Sequence, residues 1–205
     1  MARDTQSIVK MSRREGYALH PKAHKALVKR TGMPGAQAGG YNSRKPSQYS
    51  LQLREKQKVK RLYGLLERQF SNLMEEASRT RGQSGATLLQ FLEQRMDNAV
   101  YRAGFAVSRR AARQLVTHGH FTLNGRRVDV PSTRLKIGDQ IGLLEHSKGT
   151  DYFKRLEDVS PAPANIPAWL KVDRKKVGLS ITGVPIRDDA EPDIKEQLIV
   201  EYYSR

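Results

Sequence analysis

Apolar residues recur at spacings of three and four through residues 51–79: Leu51, Val59, Leu62, Tyr63, Leu66, Phe70, Leu73, Met74 and Ala77. That period predicts one long amphipathic helix or two shorter ones, and Gly64 is the only glycine in the stretch. Residues 79–87 carry Gly82, Ser84 and Gly85 and read as a linker. The helical period returns in Leu88, Leu89, Leu92, Met96, Ala99 and Val100, which predicts a helix over 88–103 that Gly104 stops. Ser108 is placed to cap a second helix over 109–118, with Ala111, Ala112, Leu115 and Val116 turned inward and Gly119 at its end.

The period then changes to two. Phe121-Thr122-Leu123, Asn124-Gly125 and Arg126-Arg127-Val128 predict a tight hairpin, because Asn-Gly readily takes the positive backbone angles of a type I′ turn. Further short strands are expected at 135–137 and 140–144, parted by Gly138-Asp139. Beyond them Pro161, Pro163 and Pro167 mark an extended linker, Trp169-Leu170 an anchoring contact, and Pro192-Asp193 the start of a last helix bearing Leu198, Ile199 and Val200. Residues 1–50 are basic and Gly-rich, with one short helix expected over 21–30.

The fold class expected is therefore α+β. An irregular basic N-terminal arm (1–50) leads into a mainly helical domain (51–87) completed by the C-terminal segment. A module of helices packed on a small antiparallel sheet (88–150) is inserted, and a linker with the C-terminal segment (151–205) packs back on the helical domain.

Charge narrows the partner. The 205 residues hold 37 Lys plus Arg against 21 Asp plus Glu, a net of +16. Residues 1–150 contribute 28 basic and 11 acidic side chains, whereas 151–205 hold 9 and 10. So dense an excess calls for a polyanion that supplies the counter-charge. The basic residues are not paired with the Trp, Phe or Leu face of an interfacial helix, so nucleic acid fits better than a membrane surface. With no Cys, disulfides, thiol nucleophiles and thiolate metal sites are excluded. No uncharged stretch is long enough for a spanning helix, and no signal-peptide pattern opens the chain, which is expected to stay where it is made.

The strongest constellation is the basic edge of the helix-hairpin module: Arg109, Arg110 and Arg113, then His118, His120, Asn124, Arg126 and Arg127. Arg109 and Arg113, four apart, share a helical face, and guanidinium groups bind phosphate bidentately and stack on bases. Within residues 108–128 the string Ser-Arg-Arg-Ala-Ala-Arg-Gln-Leu-Val-Thr-His-Gly-His-Phe-Thr-Leu-Asn-Gly-Arg-Arg-Val resembles the RNA-binding module of the bacterial small-subunit ribosomal protein S-four family. The resemblance extends to Leu88 through Asn98, to Leu51 through Val59 and to Glu196 through Arg205, most of the chain in the right order.

That resemblance implies a structural, non-enzymatic, cofactor-free component of the small ribosomal subunit. It would be a primary ribosomal RNA binder that nucleates assembly of the subunit body, beside protein S-five and near the messenger RNA entry channel, with an effect on translational accuracy. The residues expected to touch RNA are Arg109, Arg110, Arg113, His118, His120, Asn124 and Arg126 in the module, Arg54, Lys56, Lys58 and Arg61 on the first domain, and Arg13 and Arg14 in the arm. A ribosomal, cytoplasmic location follows from the same resemblance, an organellar source staying open.

The chain departs from the family around residues 19–40, where many relatives carry a zinc-binding Cys cluster. Here there is none, and His20 and His24 alone, with Lys22 and Lys25 interleaved, make no metal site expected. Two other function classes compete. A free RNA-binding regulatory factor, such as a translational repressor, would use the same module. A pseudouridine synthase is suggested by Arg95-Met96-Asp97, which resembles that enzyme's Arg-Leu-Asp signature, but the triplet falls in the helix expected over 88–103 and leaves no room for a catalytic domain. Trp169 and the Tyr202-Tyr203 pair read as packing residues.

Overall fold

A computed structural model describes residues 4–30, 32–35 and 46–204, in two compact units. The first comprises residues 1–88 and 192–205, the second 89–191.

In the first unit α1 (Ile8–Glu15) ends at Gly16, whose φ of 62° makes the left-handed cap. A 3₁₀ turn (Pro21–Ala23), capped by the His20 ring that accepts from the Lys22 amide, runs into α2 (His24–Lys29). The irregular arm thus needs correcting for its described residues. Met11, Leu19 and Ala23 are buried, and the Ser12 hydroxyl, which donates to the Ile8 carbonyl, accepts from the Leu19 amide. The Gly-rich remainder, 36–45, lies outside the described residues. The expected pair of amphipathic helices is α3 (Gln48–Leu62), capped by Ser47, and α4 (Glu67–Arg79). They are parted at Gly64, whose φ of 67° a side chain would resist. Next, α5 (Ser84–Glu93) begins inside the stretch read as a linker, and Gly85 is buried within it.

The second unit holds α6 (Met96–Arg102), α7 (Arg109–Thr117), β1 (Phe121–Leu123), β2 (Arg126–Val128) and β3 (Gln140–Leu143). Three single-turn helices follow, α8 (Glu145–Lys148), α9 (Asp151–Lys154) and α10 (Leu156–Val159), then β4 (Leu170–Asp173) and β5 (Gly178–Ile181). The single helix expected over 88–103 is broken at Gln94-Arg95, because the segment after β2 bonds into the gap. The Met96 amide donates to the Thr133 carbonyl (2.9 Å), and the Leu135 amide donates to the Gln94 carbonyl (2.9 Å). That use of Leu135 replaces the strand expected at 135–137 with an isolated bridge, Arg95 to Arg134.

The hairpin forms with Asn124 at φ 49° and Gly125 at φ 81°, as a type I′ turn requires. Its sheet is larger than the sequence reading, five antiparallel strands in the order β2-β1-β3-β5-β4. Residues 151–191 therefore belong to the same compact unit as the module, and not to the helical unit as expected. Leu170 and Val172 against Leu179 and Ile181 pair β4 with β5, and β5 bonds to β3. Trp169 is buried in this core with Phe105, Phe121, Phe153 and Ile141. Residues 192–205 belong to the first unit, where the last helix, α11 (Glu196–Tyr203), packs on α3.

Candidate nucleic-acid interface

The polar stripe of α3 faces the returning C-terminus. Lys56 is 4% exposed at its side chain and donates to the Glu67 carboxylate (2.5 Å), with its ammonium 4.5 Å above the Tyr202 ring. Lys60 bonds the other Glu67 oxygen (2.7 Å), and the Tyr203 hydroxyl donates to the first (3.1 Å). Burial alone would raise the Glu67 carboxyl, but the hydrogen bonds and charges of the two lysines outweigh it and hold the group at about 2. Burial and that same carboxylate push the Tyr203 hydroxyl well above its ordinary value.

Lys58 pairs with Glu55 (2.8 Å) and donates to the Asp193 carbonyl (2.7 Å), while Glu55 accepts from the Lys195 amide (2.9 Å). Arg54 (3.2 Å) and Arg61 both bond Glu15, whose side chain is wholly enclosed. Burial pushes the Glu15 carboxyl up against the pull of these arginines. The four basic residues expected to meet RNA on the first domain are thus spent on carboxylates that join α1, α4 and the C-terminus to α3. In α1, Arg13 donates to the Gly32 carbonyl (2.7 Å) and Arg14 is exposed.

In the second unit the Ser108 hydroxyl accepts from the Ala111 amide (3.2 Å) and starts α7, which packs on α6. That packing separates its three arginines. Arg109 donates to Asn98 (2.9 Å), pairs with Glu191 (3.0 Å) and lies over the Tyr101 ring. Arg113 reaches Asp97 (3.3 Å), which also takes a bidentate pair from Arg95 (3.0 and 2.7 Å). Burial lowers the Arg113 guanidinium's proton affinity and the Arg95 charge adds to this, against the attraction of Asp97. Arg110 stays exposed. The Arg95-Met96-Asp97 triplet is therefore a buried ion-pair corner at the helix break and not part of the continuous helix expected over 88–103.

At the far end of α7 two basic side chains stay open to solvent. His118 and Arg127 are exposed, and the Arg127 guanidinium lies against Gly119, where a Cβ would come within 2.5 Å of Nε. The His120 ring is 2.9 Å from the Ser147 hydroxyl and edge-on to Phe153. Burial, then the neighbouring His118, Arg127 and His146, depress its pKa. These groups make one cluster, in which Arg127 carries the charge. Arg126 is exposed beside it in sequence on β2, and neither Arg110 nor Arg126 has a carboxylate partner among the described residues. Asn124 is exposed yet engaged, donating to Asp139 (2.8 Å) and accepting from the Gln140 amide (2.8 Å), which locks the hairpin tip to β3. The carboxylates that claim the other cations escaped the sequence reading. Glu55, three residues before Lys58, was the one within reach of a local pattern.

The model of the "Ribosomal protein S4/S9 N-terminal domain" matches residues 3–93, and that of the "S4 domain" matches residues 94–141. Among similar proteins, the "Small ribosomal subunit protein uS4" of Herpetosiphon aurantiacus and that of Clostridioides difficile are each 48% identical. That of Roseiflexus castenholzii is 46% identical, and all three matches cover 100% of this chain and 100% of the relative.

Proposed function

The chain belongs to the small ribosomal subunit protein uS4 family, and on that premise we propose that it is a structural, RNA-binding component of the small ribosomal subunit. The observation that carries the reading is the end-to-end similarity to relatives of that name, over both a helical N-terminal domain and an S4 domain. The cations left free on the S4 domain supply the chemistry. Arg110, Arg126 and the cluster of His118, His120 and Arg127 offer guanidinium and imidazole groups to phosphates, and binding releases the counterions condensed on RNA.

Arg109, through its hydrogen bond to Asn98, and Arg113, through its ion pair with Asp97, act in this proposal by holding α7 on α6, and so set where Arg110 stands. Arg54, Lys56, Lys58 and Arg61 serve in the same way, by fixing α1 and the C-terminal helix to α3. They contact RNA only through edges the carboxylates leave uncovered. Arg13, Arg14 and Asn124 complete the proposed contacts. The finer roles expected of the family are part of the proposal: nucleation of subunit-body assembly, a place beside protein S-five near the messenger RNA entry channel, an effect on accuracy, and work in the cytoplasm.

Sedimentation tests the central claim. Tagged protein expressed in its own cell should co-sediment with small subunits at one copy per subunit. A substoichiometric, salt-labile association would instead identify a free regulatory factor.

A further inference from the structure

Neither family model reaches residues 142–191, yet this part of the second unit carries a cationic concavity of its own. A cavity of about 260 Å³ opens where α9 and α10 meet the turn between β4 and β5. Lys154, Arg155, Arg174 and Lys175 line it, together with the carboxylates of Glu157 and Asp158. Lys154, Arg155 and Lys175 are exposed and hold no carboxylate among the described residues, in contrast to the paired bases of α3.

The rim is built rather than loose. The Arg174 guanidinium donates to the Gly104 carbonyl (3.0 Å) and the Ser160 carbonyl (2.7 Å), tying the β4–β5 turn to the end of α6 and the end of α10. The Asp173 carboxylate accepts from the Lys176 amide (3.2 Å), and the turn closes at Val177 with φ 50°. A β-branched residue is disfavoured in that left-handed region, and such strain persists only where its surroundings impose it. The turn sits on the opposite edge of the sheet from the Arg126-bearing strand. Four inter-strand spacings of about 4.8 Å put the two edges roughly 19 Å apart, comparable with the breadth of an RNA duplex.

We propose that this concavity is a second phosphate-binding site, taking a backbone phosphate of the same ribosomal RNA among Lys154, Arg155 and Lys175. The proposal rests on the reading of the chain as an RNA-binding subunit component. Glu157 and Asp158 repel the same phosphate, so the site makes two predictions of opposite sign.

The experiment measures binding of the full-length protein to purified small-subunit ribosomal RNA over a salt series. Lys154→Ala, Arg155→Ala and Lys175→Ala combined should lower the slope of log affinity against log salt by about one unit, the share of the single phosphate they hold. Glu157→Gln with Asp158→Asn should tighten binding, and Lys154→Arg with Lys175→Arg should keep the wild-type slope. If wild type binds steeply and the triple variant keeps its slope, the site is wrong while the RNA-binding reading stands. If wild-type binding is itself indifferent to salt, both fall. An unchanged slope with poorer incorporation into reconstituted subunits would mean that the concavity meets an acidic protein, which also overturns the proposal. Should the triple variant fail to fold, the carboxylate variant decides alone, and unaltered binding there refutes the site.

Discussion

Replacing Asp97 with Asn keeps the side chain's shape and removes its charge. In the native protein Asp97 accepts from Arg95 Nε (3.0 Å) and Nη2 (2.7 Å) and from Arg113 Nη1 (3.3 Å), with Arg95 and Asp97 each 6% exposed at the side chain. The variant leaves two guanidinium groups without their counter-charge and turns an amide donor toward one of them. Removing one partner of a buried ion pair costs about 3–5 kcal/mol, and because the Asn carbonyl still accepts one bond, the lower end applies, ~3 kcal/mol. For a unit of about 100 residues each kcal/mol moves the melting temperature by roughly 4 °C or more, so a drop of about 12 °C is expected. Trp169 is the only tryptophan and lies buried in the second unit, so its fluorescence reports this unit's melting. A drop of less than ~3 °C would refute the role given to the Arg95–Asp97–Arg113 corner, since it would put the interaction within the range of an exposed ion pair.

Other substitutions separate packing from RNA contact. Arg110→Ala should leave the melting temperature unchanged and lower the salt slope of RNA binding by about one, whereas Arg113→Ala should lower the melting temperature by breaking its pair with Asp97; thermal melts beside salt titrations check both. Gly104→Ala should destabilise the second unit by ~2–4 kcal/mol, read from denaturant unfolding, because φ is 74° and the new Cβ would lie 2.3 Å from Pro163 Cδ. Gly85→Ala should loosen the C-terminal helix by ~1–3 kcal/mol, seen as faster amide exchange in α11, since its Cβ would lie 2.9 Å from Glu196 Cβ. Glu67 has a depressed folded pKa, so its contribution is present above the unfolded carboxylate pKa and lost as pH falls from about 4.5 toward about 2. Being half exposed, it is worth only ~1 kcal/mol, and Glu67→Gln should flatten the first unit's loss of stability over that window in acid melts.

Helices α3, α4 and α7 and the Asn124-Gly125 hairpin were legible because their signals are local. Strands β4 and β5 were not, since each is four residues long and pairs through a turn strained at Val177. The break at Gln94-Arg95 escaped for another reason. Residues 88–103 carry an unbroken helical period, and the bonds that interrupt it come from Thr133 and Leu135.

The sequence by itself determined where amphipathic helices and the tight hairpin lie, that the partner is a polyanion, and through residues 108–128 which family the chain resembles. Each of these follows from periodicity, net charge or a contiguous string. Which cations are free was decided only by the tertiary structure. Arg109 meets a carboxylate 82 residues away and Arg54 one 39 residues away, and packing of α7 on α6 turns Arg113 inward and Arg110 outward. A basic residue reads the same in sequence whether or not a distant carboxylate claims it, and only the fold brings the two within a few ångströms, where desolvation and hydrogen bonding take the charge out of reach of RNA.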